Sequence, residues 1–197
     1  MKPPILSKPH IIVMVGIPGS GKSTFAKSFA ETFKSSIVSY ERIQDITFTT
    51  PTFSKQEAAV INQLVDLALD ELLKTHKTIV LDSPMNSRVS RAEISKKAKS
   101  HGYEPLFVWV QADSKTAQKR LIQLSKSRVV IAPEQFDTEV KKFTPLSASE
   151  KSVVISGRHT YSTQLRIVLK KLADPKVDES STINNRQAPI KRHFLIR

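Results

Sequence analysis

The sequence predicts a three-layer α/β sandwich of the P-loop type, with a five-stranded parallel sheet. Five short apolar runs alternate with segments of helical periodicity, and strands that alternate with helices form parallel sheets. A glycine-rich loop follows the first run and leads directly into a helical segment. The five predicted strands cover residues 11–15, 37–39, 78–82, 105–110 and 152–156.

The glycine-rich loop matches the pattern G-x-x-x-x-G-K-[ST] over residues 16–24. Its glycines let successive backbone N–H groups point inward around phosphate oxygens, and the following helix adds the positive end of its dipole. The pattern assigns Lys22 to the β- and γ-phosphates of ATP and the Ser23 hydroxyl to Mg²⁺. The predicted nucleotide-binding residues are Gly16, Pro18, Gly19, Ser20, Gly21, Lys22, Ser23 and Thr24.

Capping signals place the helices between the strands. Ser54 followed by Glu57 is a capping box, which opens a helix to about residue 74. Ser90 followed by Glu93 predicts a second capping box, and residues 159–172 form the last predicted helix. The residues predicted to face the core from the long helix are Ile61, Leu64, Val65, Ala68, Leu69 and Leu72.

Length and composition limit the class of protein. A chain of 197 residues suits one domain with a full core, predicted over residues 1–173, followed by a disordered basic tail over residues 174–197. No apolar run approaches the length of a membrane span, so we expect no membrane partner. Cysteine is absent, which excludes disulfides. The first residues lack the apolar core of a secretion signal, so we expect a cytoplasmic enzyme.

The net charge of +13 favours an anionic partner, such as a nucleotide, a nucleic acid or an anionic membrane surface. The basic residues are scattered and form no single run, which is equally typical of a lysine-rich solvated surface. Charge alone therefore leaves the partner open.

Among P-loop proteins, the sequence favours a small kinase. The N-K-x-D signature that GTPases use for guanine is absent. Large ATPases add oligomerisation elements, for which this chain has little room. A helix with basic residues follows the fourth strand, as expected for a kinase of small molecules or nucleic acids.

Phosphoryl transfer depends on positioning and charge stabilisation, which predicts three companions for the loop. Glu41 follows the second strand and is the candidate base for the acceptor hydroxyl, with a surface glutamate as the alternative. Asp82 ends an apolar strand and is the candidate acid beside Mg²⁺, together with Ser23. Arg120 and Arg128 are candidates for covering the transferred phosphate, and a solvated basic face explains them almost as well.

Together these features resemble the AAA_33 family of P-loop kinases, from about residue 11 to residue 172. This family includes the 5′-hydroxyl kinase domain of phage-type polynucleotide kinases and is related to zeta-toxin-like kinases. The resemblance implies ATP phosphates on the loop, Glu41 as the general base, and lid arginines at Arg120 and Arg128. The features that carry it are the loop, the acid after the second strand, Leu81-Asp82-Ser83, Ala117-x-x-Arg120 and Pro133-Glu134.

Two stretches depart from the pattern of that family. The family commonly has D-x-x-R after the second strand, where this chain has Glu41-Arg42-Ile43-Gln44. It commonly has D-x-T-N after the third strand, where this chain has Asp82-Ser83-Pro84-Met85. The resemblance implies that the threonine and asparagine of the second pattern help shape the acceptor side, and this chain lacks them at those positions. Three hypotheses therefore stay open: a kinase of a 5′-hydroxyl nucleic acid, a nucleotide-dependent nucleic-acid-binding protein with slow hydrolysis, and a small-molecule kinase.

Overall fold

The computed structural model describes residues 8–125 and 130–173. Arg128 and the predicted tail over residues 174–197 therefore lie outside the described residues. The strands are β1 (His10–Val15), β2 (Ser36–Ser39), β3 (Ile79–Asp82), β4 (Glu104–Gln111) and β5 (Ser152–Ser156). The helices are α1 (Lys22–Phe33), α2 (Tyr40–Thr47), α3 (Lys55–Leu73), α4 (Arg88–Ser100), α5 (Ser114–Leu124), α6 (Pro133–Lys142) and α7 (Tyr161–Ala173).

The five strands form one sheet in the order β2-β3-β1-β4-β5, and every neighbouring pair is parallel. The predicted fold class is therefore confirmed. β1 lies at the centre, and the chain crosses from it first towards β2 and later towards β4. This reversal creates a crevice at the carboxyl end of β1, where ligands of open α/β sheets bind. The glycine-rich loop leaves β1 at this crevice.

Alternating residues of β1 serve two separate cores, one on each face of the sheet. Ile11, Val13 and Val15 belong to the first core, which includes buried residues of α3 and α4. Ile12 and Met14 belong to the second core, which includes residues of α1 and α7. All six residues of β1 are buried, as expected for a strand covered by helices on both faces. The predicted three layers follow from this arrangement.

The structure corrects the predicted inward face of α3. Leu64 was predicted to face the core, but 36% of its surface is exposed. The buried stripe runs through Ile61, Val65, Leu69 and Leu73, in steps of four residues. Ala68 and Leu72 also pack against this core, so the predicted face is right except that it includes Leu64 and omits Leu73.

Two helices also differ from the prediction. α2 was not predicted, because it is only eight residues long and follows β2 directly, and Gln44 is its only buried residue. Its first turn is capped by the Ser39 hydroxyl, which accepts from the Arg42 N–H at 3.4 Å. α4 begins earlier than predicted, since the capping hydroxyl belongs to Ser87, which accepts from the Ser90 N–H at 3.1 Å.

Over residues 8–125 and 130–173, no helix is both long enough and apolar enough to cross a membrane.

Candidate active site

The phosphate loop is held tightly between neighbouring elements, and glycine is required where the backbones approach. Gly19 has a φ of +74°, and a Cβ there would overlap the Ala117 carbonyl oxygen of α5. Gly157, just after β5, has the same role from the other side, because a Cβ there would overlap the Ser20 carbonyl oxygen. The loop therefore has a fixed shape, with α5 and the β5–α7 turn as its supports.

Lys22 begins α1 and lies at the centre of the site. Its ammonium donates to the Ile17 carbonyl oxygen at 2.9 Å, so the side chain curls back over the loop. Burial lowers the pKa of Lys22, while the negative charges of Asp82 and Glu41 raise it and partly offset this effect. A cation held over a loop of backbone N–H groups is suited to polyphosphate.

Asp82 lies at the end of β3 and is 5% exposed. Burial raises the pKa of its carboxyl, and a hydrogen bond with the Ser23 side chain and the charge of Lys22 oppose this rise. The structure thus brings together Ser23 and Asp82, the two residues predicted to bind metal. Mg²⁺ commonly binds through one or two carboxylates together with substrate phosphates, so this pair of oxygen donors fits Mg²⁺.

Glu41 lies in the first turn of α2, directly after β2. The parallel pairing of Ser39 with Asp82 sets the end of β2 beside the end of β3. The charge of Glu41 consequently acts on both Lys22 and Asp82. The predicted acid after the second strand therefore faces the same site as the predicted acid after the third.

Arg120 lies on α5 and contacts the back of the loop. Its Nη1 donates to the Ser20 carbonyl oxygen at 3.2 Å, and its Nη2 donates to the Gly157 carbonyl oxygen at 2.8 Å. Ser20 itself is fully buried, and its hydroxyl has no hydrogen-bond partner among the described residues. Arg120 therefore ties α5, the loop and the β5–α7 turn together.

One cavity of about 690 Å³ joins these residues. Every predicted site residue within the described ranges lines it except Ser20, a loop residue that is fully buried. The same cavity is also lined by a second group of residues, here called the far wall. The far wall consists of Tyr40, Gln44, Phe53, Asn62, Asn86, Thr138, Glu139 and Lys142.

Sequence reasoning missed the far wall and the contacts of Arg91. The far-wall residues come from five separate segments and share no motif. Asn86 was detectable in part, because it lies one position beyond the asparagine expected from the D-x-T-N pattern. Arg91 is fully buried and pairs with Glu150 at 2.5 Å, so it is not exposed to the cavity.

Comparisons with solved structures agree with this fold. A gluconokinase from Sinorhizobium meliloti 1021 superposes with a TM-score of 0.60 at 18% identity, covering 84% of this chain and 92% of that one. Deoxyadenosine kinase from M. mycoides superposes with a TM-score of 0.55 at 14% identity, covering 82% and 98%. The Pnkp1/Rnl/Hen1 RNA repair complex gives a TM-score of 0.60 at 22% identity, covering 68% of this chain and 44% of that one. At such identities the likeness concerns the fold.

No curated protein sequence gives a significant match to the chain. The profile of the AAA_33 family, described as an AAA domain, matches residues 11–146, which include the loop, Glu41, Asp82 and Arg120. The chain therefore belongs to the AAA_33 family.

Proposed function

We propose that the protein transfers the γ-phosphoryl group of ATP to the hydroxyl of a second molecule bound against the far wall. The observation that supports this most is that the phosphate loop, Glu41 and the far wall line one and the same cavity. A protein that only hydrolyses ATP needs a site for water, whereas this cavity extends well beyond the loop. Its volume of about 690 Å³ falls in the range of pockets that enclose small ligands.

In the proposed step the acceptor hydroxyl oxygen bonds to the γ-phosphorus, and the bond from that phosphorus to the β–γ bridging oxygen breaks. ADP leaves with the electron pair, and Glu41 takes the hydroxyl proton. Lys22 offsets the charge on the β- and γ-phosphates, and Arg120 supports the loop beneath them. Ser23 and Asp82 would hold Mg²⁺, which when bound neutralises phosphate charge.

The test is a γ-phosphate transfer assay on 5′-hydroxyl DNA, 5′-hydroxyl RNA and a panel of small hydroxyl compounds. Replacing Glu41 by Gln should lower transfer by about 10²–10⁴-fold, because the variant cannot accept the proton, while ATP binding is retained. Glu93→Gln, at an exposed position of α4, is the matched control and should transfer at the wild-type rate. A Glu41→Gln protein with normal transfer would show that another group acts as the base.

The net charge of +13 supports a second candidate, a nucleotide-dependent protein that binds nucleic acid. It predicts RNA or DNA binding that weakens steeply with salt. Under this candidate no compound of the panel would be labelled, and ATP hydrolysis would stay slow with and without nucleic acid. Transfer to any acceptor in the assay decides in favour of the kinase.

A further inference from the structure

The charges that line the cavity are divided unequally between its two ends. Within the described residues its cationic side chains are Lys22, Arg120 and Lys142. The first two contact the phosphate loop itself, through the Ile17 and Ser20 carbonyl oxygens. Only Lys142 belongs to the far wall, and its ammonium lies 3.1 Å from Glu139. The far wall therefore offers a bound molecule no cation that is not already matched.

Carboxylates are the more numerous charges at that end. Glu139 is oriented by two partners, since Asn86 donates to its Oε2 at 2.8 Å and Lys142 donates to its Oε1 at 3.1 Å. Glu41 adds a second carboxylate at the boundary with the loop. Burial and the negative charges of Glu57 and Glu139 together raise the pKa of the Tyr40 hydroxyl. Each carboxylate lies near a cation, Glu139 near Lys142 and Glu41 near Lys22, so the described wall has no spare positive charge to offset that of an anionic acceptor.

The described basic residues that follow Glu41 and Asp82 in the sequence do not change this balance. Arg91 is fully buried and donates to the carbonyl oxygens of Met85, Thr144 and Pro145 as well as to Glu150. Its donors are therefore directed into the protein. Arg42 and Arg88 are exposed and do not line the cavity. The high net charge of the chain is thus not displayed on the described far wall.

The neutral residues of the far wall suit a molecule with several hydroxyl groups. Gln44, Asn62, Asn86 and Thr138 present amide and hydroxyl groups, which both donate and accept hydrogen bonds. A hydroxyl group also does both, so each acceptor hydroxyl can find a partner of either kind. Polar groups of this type fix the orientation of a ligand in an otherwise apolar pocket.

An aromatic side chain is held at the edge of this wall in a conformation that costs energy. Phe53 has a φ of +56°, which is rare for a residue other than glycine, asparagine or aspartate. The Glu57 carboxylate holds it there, because it accepts the N–H of Phe53 at 2.8 Å and the N–H and hydroxyl of Thr52 at 2.9 Å and 2.8 Å. Backbone strain of this kind is concentrated at ligand clamps. Phe53 thus provides a fixed apolar surface beside the polar groups.

We infer that the acceptor is a small polyhydroxylated molecule without negative charge, of the size of a sugar or an amino sugar, with Phe53 against its apolar face. This inference rests on the proposed kinase function and names its acceptor class. It predicts against a polynucleotide, whose phosphates would find no unmatched cation on the described far wall.

The test uses acceptors that match in size and differ in charge. Sorbitol and gluconate are open-chain six-carbon compounds that differ at one terminal carbon, and glucose and glucosamine differ by one amino group. The panel extends this pairing to other neutral polyols, nucleosides and amino sugars, each with its carboxylate counterpart, and includes a 5′-hydroxyl oligonucleotide. We expect transfer to at least one neutral or amino compound, with kcat/KM at least about tenfold above that of its acid.

Two results would overturn the inference in different ways. Preferred transfer to a carboxylate or to the oligonucleotide would show that the kinase function is right and the acceptor class is wrong. No transfer to any compound, with ATP hydrolysis unchanged by all of them, would reject the kinase function together with the inference.

Charge reversal in the far wall tests the same point without depending on one acceptor. Glu139→Lys should improve kcat/KM for the acid relative to its neutral partner by about tenfold, because the like charge becomes an opposite charge. Glu139→Gln should give a smaller shift in the same direction and is the safer substitution for folding. Asp137→Lys makes an equal charge change on an exposed position of α6 outside the cavity, and it should leave the ratio unchanged. Equal shifts in both lysine variants would contradict the inference.

The Glu57→Gln variant tests whether the hydrogen bonds of Glu57 hold Phe53 in place for the acceptor. Its loss of charge weakens the three hydrogen bonds to residues 52 and 53, so KM for the acceptor should rise several-fold while KM for ATP stays constant. Glu71→Gln, at an exposed position of the same helix, is the control. A parallel rise of both KM values would mean that Glu57 acts only on overall stability, and Phe53 would lose its role as a surface for the acceptor.

Discussion

Arg120 donates to the Ser20 carbonyl oxygen across 100 residues of sequence, at 3.2 Å, and thereby joins α5 to the phosphate loop. The same guanidinium donates to Gly157 at 2.8 Å. A guanidinium carries five N–H donors, so these two bonds are compatible with a further contact to phosphate. Arg120 therefore stabilises the shape of the loop through contacts within the protein itself.

Arg120→Ala should raise KM for ATP by about tenfold or more, because two hydrogen bonds that hold the loop and the β5–α7 turn are lost. The effect should appear in direct nucleotide-binding measurements, not in transfer alone. Lys119→Ala removes the neighbouring charge on the exposed side of α5 and should leave KM unchanged. If both variants bind ATP equally well, the contact to Ser20 does not determine the loop shape.

Lys22→Ala should abolish transfer, with a loss of at least about 10²-fold in kcat, since the charge that offsets the phosphates is removed. Steady-state transfer kinetics measure this directly. Lys27→Ala, one and a half turns along α1 at an exposed position, is the matched control for loss of a lysine from this helix. Substantial residual transfer in Lys22→Ala would contradict the assignment of the loop lysine.

Gly157→Ala should weaken ATP binding, because its methyl group would overlap the Ser20 carbonyl oxygen and displace the loop. Isothermal titration with a non-hydrolysable ATP analogue checks this. Gly102→Ala is the comparison, since Gly102 has a φ of +78° but no atom within 4 Å of the added carbon. That variant should lose stability by about 1–2 kcal/mol and keep its affinity for the analogue. The reverse outcome would show that the loop tolerates displacement.

Arg91→Met should destabilise the protein by about 3–5 kcal/mol, since it leaves Glu150 without its partner and breaks three bonds to backbone carbonyls. Urea denaturation gives the change from the midpoint at constant slope. Arg88→Met, at an exposed position of the same helix, should change stability by less than about 0.5 kcal/mol. An Arg91→Met protein as stable as the wild type would show that this pair adds nothing.

Asp113 makes stability depend on pH below neutrality. Hydrogen bonds with the backbone N–H and side chain of Thr116, followed by the contact with Arg158, lower the pKa of this carboxyl from 3.8 to about 2. Because the folded pKa is the lower one, the stabilisation is complete above pH about 4 and is lost as the pH falls from about 4 to about 2. The difference in Tm between wild type and Asp113→Asn should therefore shrink over this window. Asp137→Asn serves as the control, and a difference that stays constant with pH would contradict the prediction.

The sequence was sufficient to predict the parts of the site that depend on neighbouring residues. The strand, loop and helix around Lys22 are continuous in the sequence, so one motif was enough to predict their arrangement. Asp82 was predictable because an apolar strand ends in a carboxylate, and parallel strands bring their carboxyl ends together. The same reasoning predicted that Glu41 lies at the site, but it did not predict that Glu41 lies on a helix.

The remainder of the site depends on contacts between distant segments, which no local pattern reveals. Gly157 was visible as the residue that closes β5, but its approach to Ser20 requires knowledge of the loop in space. The far wall is assembled from α2, α3, α6 and the segments that follow α2 and β3. The burial of Arg91 was equally hard to predict, since arginines are rarely buried and its partner Glu150 is 59 residues away in the sequence.

The burial of Arg91 has a consequence for amide hydrogen exchange. Its bonds to Thr144 and Glu150 join positions that are 53 and 59 residues apart, and thereby fix the segment between α6 and β5, which contains neither helix nor strand. The Thr144 N–H donates to the Asn86 carbonyl oxygen at 2.8 Å, and the Ser147 N–H donates to Glu150 at 2.7 Å. These amides should exchange at the rate of global unfolding, together with those of the central strands. An irregular stretch of this chain would then open only when the sheet itself does.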